Sequence, residues 1–172
     1  MPHLTNTASA KVISITDYVD SEASEAGKEF PDRQGYVLKV GEGEEACCDV
    51  LIKASPKSGT QGGVVILQPM PPDFSTGLHF HKEADEFFYV ISGTGTATIA
   101  GQEYEIGPGH VIFVPAGEDH KLVTHSEKME ILEFLDKPGL DEEFRAAIEE
   151  PLTLEKLNEV ANRYGTVYKT LE

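Results

Sequence analysis

The sequence predicts an all-β barrel or two-sheet sandwich followed by two helices, and three observations predict it. Ten short runs rich in β-branched and aromatic residues lie between Tyr36 and Leu135, separated by Gly and Pro. Apolar spacing changes from alternate positions to helical spacing after Pro138-Gly139. One run carries a His-x-His pair, His79 and His81, with an acid and a third histidine in neighbouring runs.

Taken in order, residues 1–35 read as a polar, acidic arm, loose or laid against a partner subunit, whose one apolar patch is Val12, Ile13 and Ile15. Residues 36–138 carry the barrel strands: Tyr36 to Val40, Cys47 to Lys53, Gly63 to Gln68, Leu78 to His81, Glu86 to Ile91, Gly95 to Ala100, Gln102 to Ile106, Val111 to Val114, His120 to Thr124 and Glu130 to Leu135. Ala100-Gly101-Gln102 reads as a tight hairpin, because Gly supplies the positive φ such turns need. Pro108-Gly109 and Ala116-Gly117 mark two further reversals. Residues 139–172 form a helical extension. Phe144, Ala147 and Ile148 recur at helical spacing until Pro151, and Thr153 then caps a second helix. Leu152 and Leu157 can staple that second helix, Leu157, Val160, Ala161 and Tyr164 form its apolar face, and Gly165 ends it. Both helices are expected to cover an outer face of the barrel.

The chain of 172 residues fits one domain. Its 14 Lys plus Arg against 30 Asp plus Glu give a net charge of -16, which repels phosphate backbones and excludes nucleic acid as a partner. No stretch approaches the roughly 18 consecutive apolar residues that span a bilayer, and no basic-then-apolar leader opens the chain, so a soluble, cytoplasmic protein without membrane partners is expected. Cys47 and Cys48 are adjacent, and in an extended strand they would point to opposite faces, so they are read as structural thiols without a disulfide.

On a strand, side chains at i and i+2 share a face, so His79 and His81 point one way and Phe80 the other. Glu86, Phe88 and Val90 share a face of the next run, and His120 opens a later one. Three imidazoles and a carboxylate suit one divalent transition metal, Fe, Mn, Ni, Co or Zn, with positions left open for a small-molecule substrate. His3, His110 and His125 fall outside this phase and read as solvated.

The spacing His79-Phe80-His81, four residues, Glu86, six residues, Gly93 resembles the first motif of the cupin superfamily. Gly109, five residues, Pro115-Ala116-Gly117, two residues, His120 resembles the second, fifteen residues further on. Asp73 stands where the first motif usually has Gly, and Thr124 where the second usually ends in Asn. The resemblance implies a double-stranded β-helix, or jelly roll, in which His79, His81, Glu86 and His120 hold the metal. Cupins include dioxygenases, isomerases, lyases, decarboxylases and binding proteins. Arg occurs only at Arg33, Arg145 and Arg163, so the span Gln34 to Phe144 offers no guanidinium clamp for an anion. Lys53, Lys82 and Lys121 are the substitutes available there. Phe88, Val90, Phe113 and Leu122 are expected to line an apolar substrate cavity. A single barrel followed by a Pro-Gly turn and a last helix ending Asn162-Arg163-Tyr164-Gly165 resembles small quercetinase-like monocupins. That implies a dioxygenase for a neutral, oxygen-chelating molecule of flavonol or diketone type. Glu86 would double as general base, its pKa lifted by the cavity. The alternatives are a lyase or isomerase that consumes no oxygen, and a small-molecule-binding protein without catalysis. Tyr89 and Tyr104 are the other bases available, Tyr89 on the opposite parity from Glu86. An exposed barrel edge invites a homodimer.

Overall fold

In a computed structural model of the chain, residues 34–39, 41–146 and 153–171 are described. The N-terminal arm, except Gln34 and Gly35, lies outside them, as do Ala147, Ile148, Pro151 and Leu152.

Two antiparallel sheets face each other as a jelly roll. The first has six strands in the order β1 (Glu44–Glu45), β2 (Leu51–Ala54), β3 (Val64–Met70), β10 (Met129–Leu135), β5 (Glu86–Ser92), β8 (Val111–Val114). The second has five, in the order β11 (Thr166–Tyr168), β4 (His79–His81), β9 (His120–Thr124), β6 (Gly95–Ile99), β7 (Gln102–Ile106). Helices α1 (Leu140–Ala146) and α2 (Leu154–Ala161) precede β11.

Inner positions alternate with outer ones as the pleat requires. β3 buries Val64, Ile66, Gln68 and Met70, β5 buries Glu86, Phe88 and Val90, and β10 buries Met129, Ile131, Glu133 and Leu135. Phe88, Val90, Leu122, Met129 and Ile131 belong to one apolar cluster. Val64, Ile66, Leu135 and Leu140 belong to a second. Since Leu135 is the ladder partner of Glu86, that acid lies where the two clusters meet.

Three expectations about local structure are corrected. Tyr36–Lys39 is not a strand, and the Tyr36 hydroxyl donates to the Lys53 carbonyl at 2.8 Å. Cys47–Asp49 forms a single 3-10 turn rather than a strand, with Cys48 at φ 61, so the two free thiols are set by a turn. The C-terminal extension is not helices alone, because Thr166–Tyr168 adds a strand beside β4 with Thr166 opposite His81 and Tyr168 opposite His79. The Thr153 side chain caps α2 by accepting from the Lys156 amide.

The Gly that closes the first motif has a physical reason. Gly93 turns β5 into β6 at φ +80, and a Cβ there would collide with the Lys128 carbonyl oxygen and Met129 Cα. Gly93→Ala is therefore expected to lower stability by ~2–4 kcal/mol, read as a shifted urea midpoint with unchanged slope. A neutral midpoint would show that the β5–β6 turn relaxes freely.

Candidate metal centre

The short strand β4 holds His79 and His81 on its inner face, and β9 pairs with β4 through the single register His79↔His120. Glu86 enters from β5 in the opposite sheet. The three imidazoles and the carboxylate thus meet across the interior, with one donor atom from each lying within 4.8 Å of all the others. All four side chains are buried, none more than 5% exposed.

Each imidazole is oriented through its Nδ1. His79 Nδ1 lies 2.9 Å from the Gly77 carbonyl, His120 Nδ1 lies 3.0 Å from the Glu118 carbonyl, and His81 Nδ1 lies 3.1 Å from Thr166 Oγ1. A carbonyl can only accept, so Nδ1 of His79 and His120 carries the hydrogen and Nε2 presents a lone pair. Glu86 Oε2 lies 2.8 Å from His120 Nε2 and 3.2 Å from His81 Nε2. Yet His81 Nε2, Glu86 Oε2 and His120 Nε2 are buried without a hydrogen bond of sound geometry. Buried polar atoms are normally paired, so three orphaned donors aimed at one point fit a cation.

Charge within the site follows from burial and proximity. Burial, with His120 and His81 adding to it, pushes the His79 imidazole down to about 3, which keeps it neutral. Burial also opposes charge on His81, but the facing Glu86 outweighs it and the imidazole is raised. For Glu86, burial alone would raise the carboxyl, and His81 and His120 more than reverse that, holding it below the ordinary carboxylate range. The expectation of a lifted Glu86 pKa is thus corrected for the metal-free protein: the neighbouring imidazoles outweigh the apolar cavity.

Of the expected lining, Phe88, Val90 and Leu122 are buried on the inner face, and the Phe88 ring centroid lies 6.1 Å from that of His120. Phe113 is the exception. It is 49% exposed on the outer face of β8, its ring centroid 4.8 Å from that of Phe87, while Ile112 and Val114 point inward. A cleft of about 400 Å³ opens beside His81, between the β4–β5 connection and the C-terminal extension, with Leu135, Leu140 and Tyr164 in its wall. Lys82 and Arg163 also line it, Arg163 from the extension rather than the barrel.

The pattern of residues 66–135 matches the family model described as a cupin domain. Those residues form a cupin domain. Over 146 residues the chain is 29% identical to quercetin 2,3-dioxygenase of Bacillus subtilis (strain 168), a match that covers 83% of this chain and 40% of that protein. It is also 28% identical over 85 residues to an oxalate-binding protein of Thermotoga maritima, covering 49% of this chain and 69% of that one. Among solved structures, KdgF from Halomonas sp. superposes with a TM-score of 0.47 at 17% identity, covering 50% of this chain and 74% of that one. A cupin protein from Bacteroides fragilis gives 0.42 at 21% identity, covering 55% of this chain and 75% of that one.

The cupin interior also holds polar residues that the sequence reading passed over. The Thr166 hydroxyl is shared between His81 Nδ1 and Glu143 of α1, and the Tyr168 hydroxyl donates to Glu143 Oε1 at 2.8 Å. The Tyr168 ring stacks on His79 with centroids 4.9 Å apart. The extension therefore enters the interior rather than merely covering an outer face. Glu133 and Gln68 point inward from β10 and β3. Their signal was present in the sequence: Glu133 falls in phase with Met129, Ile131 and Leu135, and Thr166 and Tyr168 alternate around Val167. His110 and His125 are exposed and lie apart from the cluster, as expected.

Proposed function

We propose that this cupin is a metal-dependent dioxygenase for a neutral small molecule that chelates through adjacent hydroxyl and ketone oxygens, as flavonols and 1,3-diketones do. The carrying observation is the set of four buried donors with three orphaned atoms, beside the buried ring of Phe88. A divalent metal held by His79, His81, Glu86 and His120 would supply Lewis acidity that makes a chelating hydroxyl easier to deprotonate. Glu86 is the base within reach of that hydroxyl, and a carboxylate that is also a ligand accepts the proton through its free oxygen. Thr166 and the Gly77 and Glu118 carbonyls keep the imidazoles in the ligating tautomer. The apolar wall excludes water and favours a planar, aromatic substrate.

The similarity to quercetin 2,3-dioxygenase supports this reading. Oxygen-electrode assays of the Fe-, Mn-, Ni- and Co-loaded protein with a flavonol and 1,3-diketone panel test it. Substrate-dependent oxygen consumption is expected. Product without oxygen uptake would turn the assignment to a lyase or isomerase, and binding without product to a carrier or sensor.

We further infer a cytoplasmic homodimer. Phe87, Tyr89, Ile91, Val111, Phe113 and Phe134 are exposed together on the outer face of β5, β8 and β10, next to the edge of β8, which is unpaired among the described residues. Such a patch on a water-facing sheet favours a second copy of the chain. Light scattering is expected to give twice the chain mass, and Val111→Lys, a charge at a position 69% exposed, to halve it. A monomeric wild type sinks the inference.

A further inference from the structure

Glu133 is the buried acid for which the metal site has no use. It is 2% exposed on the inner face of β10, and its ladder partners are Ile66 on β3 and Phe88 on β5, both inward and apolar. Its Oε2 is buried without a hydrogen bond, and the same is true of Oε2 of Glu143. Phe88 is the next inward residue after Glu86 on β5, so Glu133 lies one ladder step from the metal-ligating acid on the same concave surface. Burial together with the nearby Glu86 and Glu143 raises its carboxyl well above the ordinary range. A buried carboxyl oxygen without a partner is costly, and core packing beside Ile66 and Phe88 alone would place Leu or Met there. Such a group persists where a ligand completes it.

We propose that Glu133 is a specificity-determining residue of the substrate cavity, a second polar pole that hydrogen-bonds a hydroxyl on the part of the ligand remote from its chelating oxygens. The ligand class is thereby narrowed to a neutral, polyhydroxylated aromatic molecule, one pole chelating and the other donating. This rests on the chelating-substrate reading above and adds to it the remote hydroxyl. A protonated Glu133 both donates and accepts, so the hydroxyl need not be ionised. Glu143 is a less direct candidate for the same role, because Tyr168 and Thr166 already occupy it.

The test measures anaerobic calorimetric binding of quercetin and of the unsubstituted flavonol, which has the chelating pair and no other hydroxyl, to the metal-loaded protein. Wild type is expected to prefer quercetin by about tenfold, a fold-change in the range of one well-made hydrogen bond. Glu133→Leu is expected to bring the two affinities together by weakening quercetin alone, and Glu133→Gln, which still donates and accepts, to keep most of the preference. Metal content and melting temperature accompany each variant, and Glu133→Leu is expected to melt higher than wild type without ligand, since it removes an unpaired acid. A preference that survives Glu133→Leu, the absence of any preference or binding in wild type, or the failure of Glu133→Leu and Glu133→Met alike to fold would overturn the proposal. Oxygen uptake in the same samples judges the dioxygenase reading separately. A Glu133-dependent preference without uptake leaves this inference standing and sinks that reading, and uptake without the preference does the reverse.

Discussion

His120→Ala is expected to weaken divalent-metal binding by two to three orders of magnitude and to destabilise the metal-free protein as well. Structural metal sites with four protein ligands bind with roughly 10–16 kcal/mol, so each ligand carries on the order of 3–4 kcal/mol, or about 10²–10³ in affinity. The apoprotein effect has a separate cause. His120 is 1% exposed, its ring centroid lies 4.2 Å from that of His79, and its Nε2 faces Glu86 at 2.8 Å. Truncation leaves a cavity and takes from a buried carboxylate the nearer of its two imidazole neighbours, changes that together cost roughly 2–5 kcal/mol. His125→Ala is the control, because that exposed ring bonds Thr96 Oγ1 at 2.6 Å and lies outside the cluster. Metal analysis after dialysis against a competing chelator, with calorimetric melting of the apoproteins, separates the two effects. Equal metal retention by His120→Ala and His125→Ala would show that the imidazole of β9 is not a ligand.

The ligands were legible because strand geometry translates sequence parity directly into facing. His79 and His81 at i and i+2 share a face on any strand, and Glu86, Phe88 and Val90 do so on the next, wherever the strands lie in space. The strands Gln102–Ile106 and Val111–Val114 were legible because Gly and Pro turns bound them on both sides. Parity failed at Phe113. The run Val111–Val114 is apolar at every position, so alternation carried no phase, and the pairing of β8 with β5 decided that Ile112 and Val114 face inward. Thr166–Tyr168 was hidden for a different reason. A three-residue strand is too short to show a period, and its place beside β4 depends on contacts more than eighty residues apart in sequence, such as Thr166 Oγ1 with His81 Nδ1 at a separation of 85. Glu133 was overlooked because a charged residue is normally read as solvent-facing, whereas its phase with Ile131 and Leu135 was the stronger signal.

The second large effect is expected at Glu86, where one substitution can separate ligation from proton transfer. Glu86→Gln keeps the length of the side chain and an oxygen able to ligate, but it cannot take up a proton from a bound hydroxyl. If the acid acts as base, turnover should fall by about 10²–10⁴ while metal content drops far less. The metal-free protein responds differently. Glu86 is the group that raises His81, and His81 and His120 are the groups that hold Glu86 below the ordinary carboxylate range, so each favours the other's charged form. Removing the negative member takes away what raises His81, so a proton competes less well with a cation for Nε2, which offsets part of the lost carboxylate. This offset is why turnover and occupancy are expected to diverge. The measurement is kcat per bound metal, with occupancy determined on the same sample. If kcat per metal stays at the wild-type value and only occupancy falls, Glu86 is a ligand and nothing more, and the proton must leave the substrate by another route. Glu86→Asp sharpens the result: it retains basicity on a shorter arm, so it should bind metal less well than Glu86→Gln yet turn over faster per metal bound.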